Sequence, residues 1–318
     1  MAIGTIMTLP RLPRWVGAAG LAACLLNCSK PNKPVMSEQD IALANKRDLY
    51  CSLARPQVEA RGSAVSRCDG LLFSSLHNIA CGYPALEPFE KNGQWFRDPA
   101  HACGPNGKDG STISKDMVTG LLLYAANQKD AGLMERFINY GKAHDWEIGA
   151  ADDAVRIGTV IMSPNIVTLA YDVYNYSLGR SQRASLDEPA TLRHGSEEHL
   201  EILSTLTKHV VNKSLSNNSL ETLEKAVRAQ PQNALFSAAL KLYQGGTDCV
   251  DRLLDVTHWP SDHLPTNANH CTPYLYERDN DAGGRPDGKE PDWLSCDRPN
   301  EYDGTDFVFA ATICLGEI

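Results

Sequence analysis

Two acidic residues stand close together in a stretch crowded with other reactive side chains: Asp109 and Asp116, with Ser114 and Lys115 between them. The run Trp95-Phe96-Arg97-Asp98-Pro99 leads to them through His101 and Cys103. Carboxylates and imidazoles move protons, and Arg or Lys neutralises an anion. Polar and aromatic residues just ahead of a helix N-terminus also meet free backbone N–H donors and the positive end of the helix dipole. This segment is therefore the first place to look for chemistry. Each of the two acids has an alternative role as a helix cap.

Trp95, Trp259 and Trp293 fall in loop-like sequence and are aromatics of the kind on which sugar faces stack. Their alternative is burial beneath the loops with the indole N–H bonded. Two further stretches imitate metal sites. His258-Trp259-Pro260-Ser261-Asp262-His263 with His270 gathers three histidines and an aspartate, but no two histidines have helical ligand spacing and Pro260 interrupts the run. Asp279-Asn280-Asp281-Ala282-Gly283-Gly284 with Asp287 and Glu290 follows the ligand spacing of a calcium loop, yet Pro286 interrupts it and no helix flanks it. Both read as solvated loop, and no metal is expected. No P-loop, G-x-S-x-G or dinucleotide fingerprint occurs, and no cofactor is expected either.

The elements that must position these residues are helices. From Ser114 to Tyr243 the apolar spacing follows the helix period. Ser114 is a candidate N-cap for a helix with Met117, Leu121, Tyr124, Ala125 and Gln128 on one face. Asp130 caps the next, with Leu133, Met134, Phe137 and Ile138 inward and Gly141 at the left-handed C-terminal position. Ser163-Pro164 supplies a cap and a first-turn proline for a helix burying Ile166, Leu169, Ala170 and Val173 and ending at Leu178-Gly179. Ser196 opens another; Asn218 with Glu221 makes a capping-box-like start; a further helix runs from Asn233 to Tyr243 and stops at Gly245-Gly246. Ser37 to Leu49 and Cys68 to Cys81 read as helical, and a closing helix starts near Asp306. Strand alternation is not convincing anywhere. Segments 180–195 and 258–305 read as loops, the second long and rich in Pro, Gly, Asp and Asn. The expectation is an all-α antiparallel array.

The N-terminus reads as an address. Arg11 and Arg14 precede the uncharged run Trp15 to Ala23, which is secretory in length and too short to span a bilayer. Leu21-Ala22-Ala23-Cys24 resembles the lipobox of bacterial lipoproteins, with Leu25-Leu26-Asn27-Cys28 as the competing site and an ordinary cleaved signal as the alternative. That resemblance implies a signal peptide over 1–23, a lipid anchor on Cys24, a tether over 24–36 and a single helical domain over 37–318. A multiply acylated cysteine holds a membrane stably. No Asp follows either cysteine, which by the same resemblance points to the outer membrane. Beyond the signal remain Cys51, Cys68, Cys81, Cys103, Cys249, Cys271, Cys296 and Cys314. An even set in an exported chain predicts four disulfides, with Cys81–Cys103 and Cys271–Cys296 as local loops. The net charge of −9 and the absence of a basic run exclude nucleic acid as an expected partner.

The segment around Ser114-Lys115-Asp116 resembles the turn before an inner helix of (α/α) toroid proteins that act on polysaccharides, where a Ser-Arg-Asp-like tripeptide opens a helix at the funnel mouth. Here Lys replaces Arg. The resemblance covers about the central third of the chain and is one of pattern. It implies a glycan-binding or glycan-cleaving domain. A hydrolase would use Asp109 and Asp116 as its paired carboxylates. A lyase would use His101 as base, with Arg97 and Lys115 beside a uronate. Trp95, Arg97, His101, Trp259 and Trp293 would contact the substrate. The alternative function is a non-catalytic interaction lipoprotein whose disulfide-held loops dock another envelope component.

Overall fold

A computed structural model describes residues 36–63, 70–83, 86–100, 113–149, 160–180, 196–211, 217–229, 234–245, 248–254 and 305–318. All of them belong to one compact unit, Met36–Ile318. Helix accounts for 75% of these residues, so the expected all-α class holds. The helices are α1 (Glu38–Arg61), α2 (Gly70–Cys81), α3 (Lys115–Gln128), α4 (Ala131–Ala143), α5 (Pro164–Ser177), α6 (Ser196–Val210), α7 (Asn217–Ala229), α8 (Ala234–Gln244), α9 (Asp248–Leu254) and α10 (Thr305–Cys314). Two small antiparallel pairs accompany them, β1 (Glu90–Lys91) with β2 (Gln94–Trp95) and β3 (Glu147–Gly149) with β4 (Val160–Ile161).

Local signals account for several helix ends. Ser37 caps α1 through a full capping box with Asp40, and Gly62 at φ 69° stops it. That helix runs past the expected end at Leu49, carrying Pro56 inside it and burying Tyr50, Cys51 and Val58. Asp130 Oδ1 accepts from the Leu133 amide at 2.9 Å, as a cap should. Pro164 opens α5. Asn217 is already helical, so α7 starts ahead of Asn218 and the capping-box reading of Asn218 with Glu221 is two positions out of register. Gln128, placed on the inner face of α3 by its spacing, is exposed at the last turn.

Gly141 does not end its helix. It lies inside α4, and the chain turns at His144 instead. A Cβ added at Gly141 would stand 2.5 Å from Cε3 of Trp146, so the glycine is there to let an indole ring close against the helix. Gly120 does the same between helices: its Cβ would meet Leu72 Cδ1 at 2.7 Å, which sets the close approach of α3 to α2.

Packing follows a closed circuit of contacts. Helix α2 packs on α3, α3 on α6, α6 on α8, α8 on α10 and α10 back on α2. The remaining helices lie against this set: α1 and α9 on α10, α4 on α5, α5 on α3, and α7 between α6 and α8. The sequence agrees with that division. In α3 every residue from Asp116 to Ala126 is buried, and in α10 so are Phe307 to Cys314. A helix apolar all round needs neighbours all round.

Two cystines fasten the array. Cys51 in α1 pairs with Cys81 at the end of α2, their Cα atoms 5.4 Å apart, and Cys249 in α9 pairs with Cys314 at the end of α10, 5.9 Å apart. The expected Cys81–Cys103 loop is therefore wrong. Proximity in sequence favoured Cys103, whereas the α1–α2 pairing brings Cys51 to Cys81. Arg47 on α1 also forms an ion pair with Glu317 just beyond α10. Cys24, Cys68, Cys103, Cys271 and Cys296 lie outside the described residues, as do the signal and tether before Met36.

Candidate functional site

Ahead of α3 in the chain stands a short hairpin. The hairpin β1–β2 turns at Asn92-Gly93, with φ 56° and 84°, the two-residue geometry that an Asn-Gly pair favours. It sits on α4, where Glu90 takes both bonds from Arg136 Nε at 2.8 Å and Gly93 fits against Tyr140. Beyond it the Phe96 amide donates to the Phe89 carbonyl at 2.8 Å, and the Arg97 carbonyl accepts from Leu71 at the first turn of α2. The hairpin thus ties α4 to the N-terminus of α2. The dipeptide Asn92-Gly93 was the signal available for this turn; the strands beside it are too short to alternate.

Ser114 has the extended backbone of an N-cap, φ −89° and ψ 168°, yet its hydroxyl makes no cap bond. Its Oγ is buried and has no hydrogen-bond partner among the described residues. Lys115 is exposed, and Asp116 is buried in the first turn, where the helix dipole favours a carboxylate. The Asp116 carbonyl accepts from Thr119 Oγ1 at 2.8 Å. Asp116 is a carboxyl group buried at the head of a mostly apolar helix, the position from which the expected chemistry would act.

Trp95 is 2% exposed and belongs to the core. Its ring offers no open face for a sugar, in line with the burial alternative for this tryptophan. Its Nε1 is buried and has no partner among the described residues. Arg97 is half-buried beside α2. Asp109, His101, Trp259 and Trp293 lie outside the described residues, as do His258, His263, His270 and the acids from Asp279 to Glu290. Of the expected set, Trp95, Arg97, Lys115 and Asp116 have a described place. Among the described residues no group of three or more His, Cys, Asp or Glu side chains comes together in a way that would hold a metal, and no helix is long and apolar enough to cross a membrane.

Sequence spacing passed over two buried polar groups. His77 stands inside the apolar run of α2, wholly buried, with Nδ1 3.3 Å from Thr305 Oγ1 at the head of α10 and its ring stacked on Tyr83, centroids 5.3 Å apart. Burial lowers its pKa from 6.5 to about 3, so the imidazole is neutral. The Tyr83 hydroxyl in turn donates to the Cys51 carbonyl. Asp172 is buried in α5 between Tyr171 and Val173. A histidine directly after Leu71-Leu72-Phe73-Ser74-Ser75-Leu76 and an aspartate directly after Leu169-Ala170-Tyr171 were the signals available. At the far end of α3, burial, with Glu87 and Asp130 nearby, pushes the Tyr124 phenol up to about 12, so it stays protonated.

No protein-family model, no curated protein and no solved structure matches the chain. The site is read from its own chemistry.

Proposed function

We propose that this chain is an exported lipoprotein, anchored through Cys24 to the outer membrane, whose helical domain is an (α/α) toroid-like array that binds or cleaves a polysaccharide. The observation that carries the catalytic half is Asp116, a carboxyl group buried at the head of α3 next to a Ser114 hydroxyl that has no hydrogen-bond partner among the described residues. The contact circuit α2–α3–α6–α8–α10, with the other helices outside it, supports the toroid-like reading. Two cystines and the N-terminal pattern support export. In this reading Asp116 acts with Asp109 as the carboxylate pair of a hydrolase.

The test is to incubate the protein with a panel of bacterial and algal polysaccharides and follow reducing ends, for hydrolysis, and ultraviolet absorbance of unsaturated products, for elimination. Cleavage that falls by about 100-fold in Asp116→Asn, with circular dichroism unchanged, supports the reading. The burial of Trp95 favours a second reading, a non-catalytic lipoprotein that docks another envelope component. Neither cleavage nor binding across the panel would select it. Mass spectrometry of the mature N-terminus separates anchoring at Cys24 from anchoring at Cys28.

A further inference from the structure

Aromatic side chains that the sequence motifs did not single out gather where α4, β3 and α5 meet. Trp146 lies between α4 and β3 with its ring against Gly141. Its amide donates to the Gly141 carbonyl at 2.6 Å, and its own carbonyl accepts from Met162 at 3.0 Å. Asp145 and Trp146 both have left-handed backbones, φ 50° and 60°, consecutive positions where side chains are sterically costly. A single glycine after the helix would have turned the chain without that cost. Instead the turn fixes an indole.

The ring stands edge-on to Tyr171, centroids 6.0 Å apart at 67°, with Phe137 on its inner side at 6.4 Å. Lys142 Nζ lies 5.4 Å from the centre of the Tyr171 ring, and Tyr140 stacks on His144 at 4.0 Å. Trp146, Tyr171 and Tyr140 are half-buried, whereas Lys142, His144 and Asp145 are exposed. Core packing explains the covered parts of these rings. It does not explain a strained turn that leaves part of an indole at the surface, with the exposed Lys142 on Tyr171, His144 on Tyr140 and Asp145 next to it in the chain as the polar rim of this stretch.

A purely apolar partner would leave that rim desolvated and unpaired. A pyranose has an apolar C–H face for the ring and hydroxyls for the rim, the mixture that such aromatic sites accept. We propose that Trp146, Tyr171 and Tyr140, with Lys142, His144 and Asp145 around them, form a binding site for a pyranose chain, one sugar ring stacked on the exposed part of Trp146. This rests on the glycan reading above. It moves the stacking role from the loop tryptophans to the α4–α5 face.

The test is affinity electrophoresis of the full chain through gels containing each polysaccharide of the panel. Trp146→Ala is expected to weaken retention about tenfold, and the exposed pair Lys142→Ala/His144→Ala several-fold, without loss of the folded circular dichroism spectrum. Because Trp146→Ala removes a ring that also packs on Gly141, the wild-type protein supplies a second measurement: bound polysaccharide should protect the Trp146 indole from N-bromosuccinimide oxidation, read by peptide mass spectrometry. Retention of the wild type that the Lys142/His144 variant leaves unchanged, with no protection of Trp146, overturns this site and leaves the glycan reading standing. No retention by any polysaccharide overturns both.

Discussion

Helices α3 and α7 have nearly equal lengths, 14 and 13 residues, and solve opposite problems. Helix α3 is buried from Asp116 to Ala126 and meets α2, α4, α5 and α6. Helix α7 buries one stripe, Thr222, Leu223 and Ala226, against α6 and α8 and carries Glu221–Lys225 and Glu224–Arg228 pairs outside. The difference teaches where stability and chemistry sit. An all-round buried helix has no solvent to accept a misplaced group; Thr119 satisfies its hydroxyl on the Asp116 carbonyl, and the buried carboxyl group of Asp116 calls for a reason. A one-faced helix tolerates polar groups freely.

The comparison is broken most directly from inside α3. Leu122→Ala removes a fully buried side chain and should cost about 2–5 kcal/mol, read as a lower urea midpoint with unchanged slope. An equal loss from a Leu220→Ala change in α7, where the side chain is only half-buried, would show that the inner and outer helices do not differ in this way. Gly141→Ala comes next. The new methyl would collide with the Trp146 ring, and overpacking should cost about 1–3 kcal/mol, minus the roughly 1 kcal/mol that alanine gains over glycine in a helix. A shift in tryptophan fluorescence should accompany it.

His77 sharpens the contrast through pH. Its folded pKa is about 3 against 6.5 when unfolded, so the unfolded chain takes up a proton first as pH falls. The stability tied to its neutral form is fully present above pH 6.5 and drains away from there down to about pH 3, at no more than about 1.4 kcal/mol per pH unit. Chemical melts across that window should show the decline, and His77→Gln should flatten it. A decline that survives His77→Gln would assign acid sensitivity to other groups. The smallest effect belongs to the outer helix: Lys225→Ala removes an exposed i,i+4 pair and should leave the thermal midpoint within the error of the melt.

Much of the helical body was legible because it is written in local rules. The Ser163-Pro164 start, the Asp130 cap, the Ser114 cap position and the apolar periods of α4 and α5 need only neighbours within a few residues. The candidate site was less legible. Trp95 looked like a loop aromatic because its two-residue strands are too short to alternate, and only its docking on α4 puts it in the core. Gly141 looked like a helix stop because a C-terminal glycine usually is one. The partner that actually requires it, Trp146, comes into reach only after the chain has turned through two left-handed residues.

By itself the sequence determined an all-α body, most of its cap positions and many of its helix limits, since these depend on 3.6-residue periodicity and on backbone geometry within one turn. Tertiary structure alone decided which cysteines meet, which helices are surrounded, and which aromatic rings are covered and which keep an open edge. Those outcomes depend on contacts between residues far apart in the chain, as when Cys249 finds Cys314 or His77 finds Thr305, and no local pattern encodes a distance of that kind.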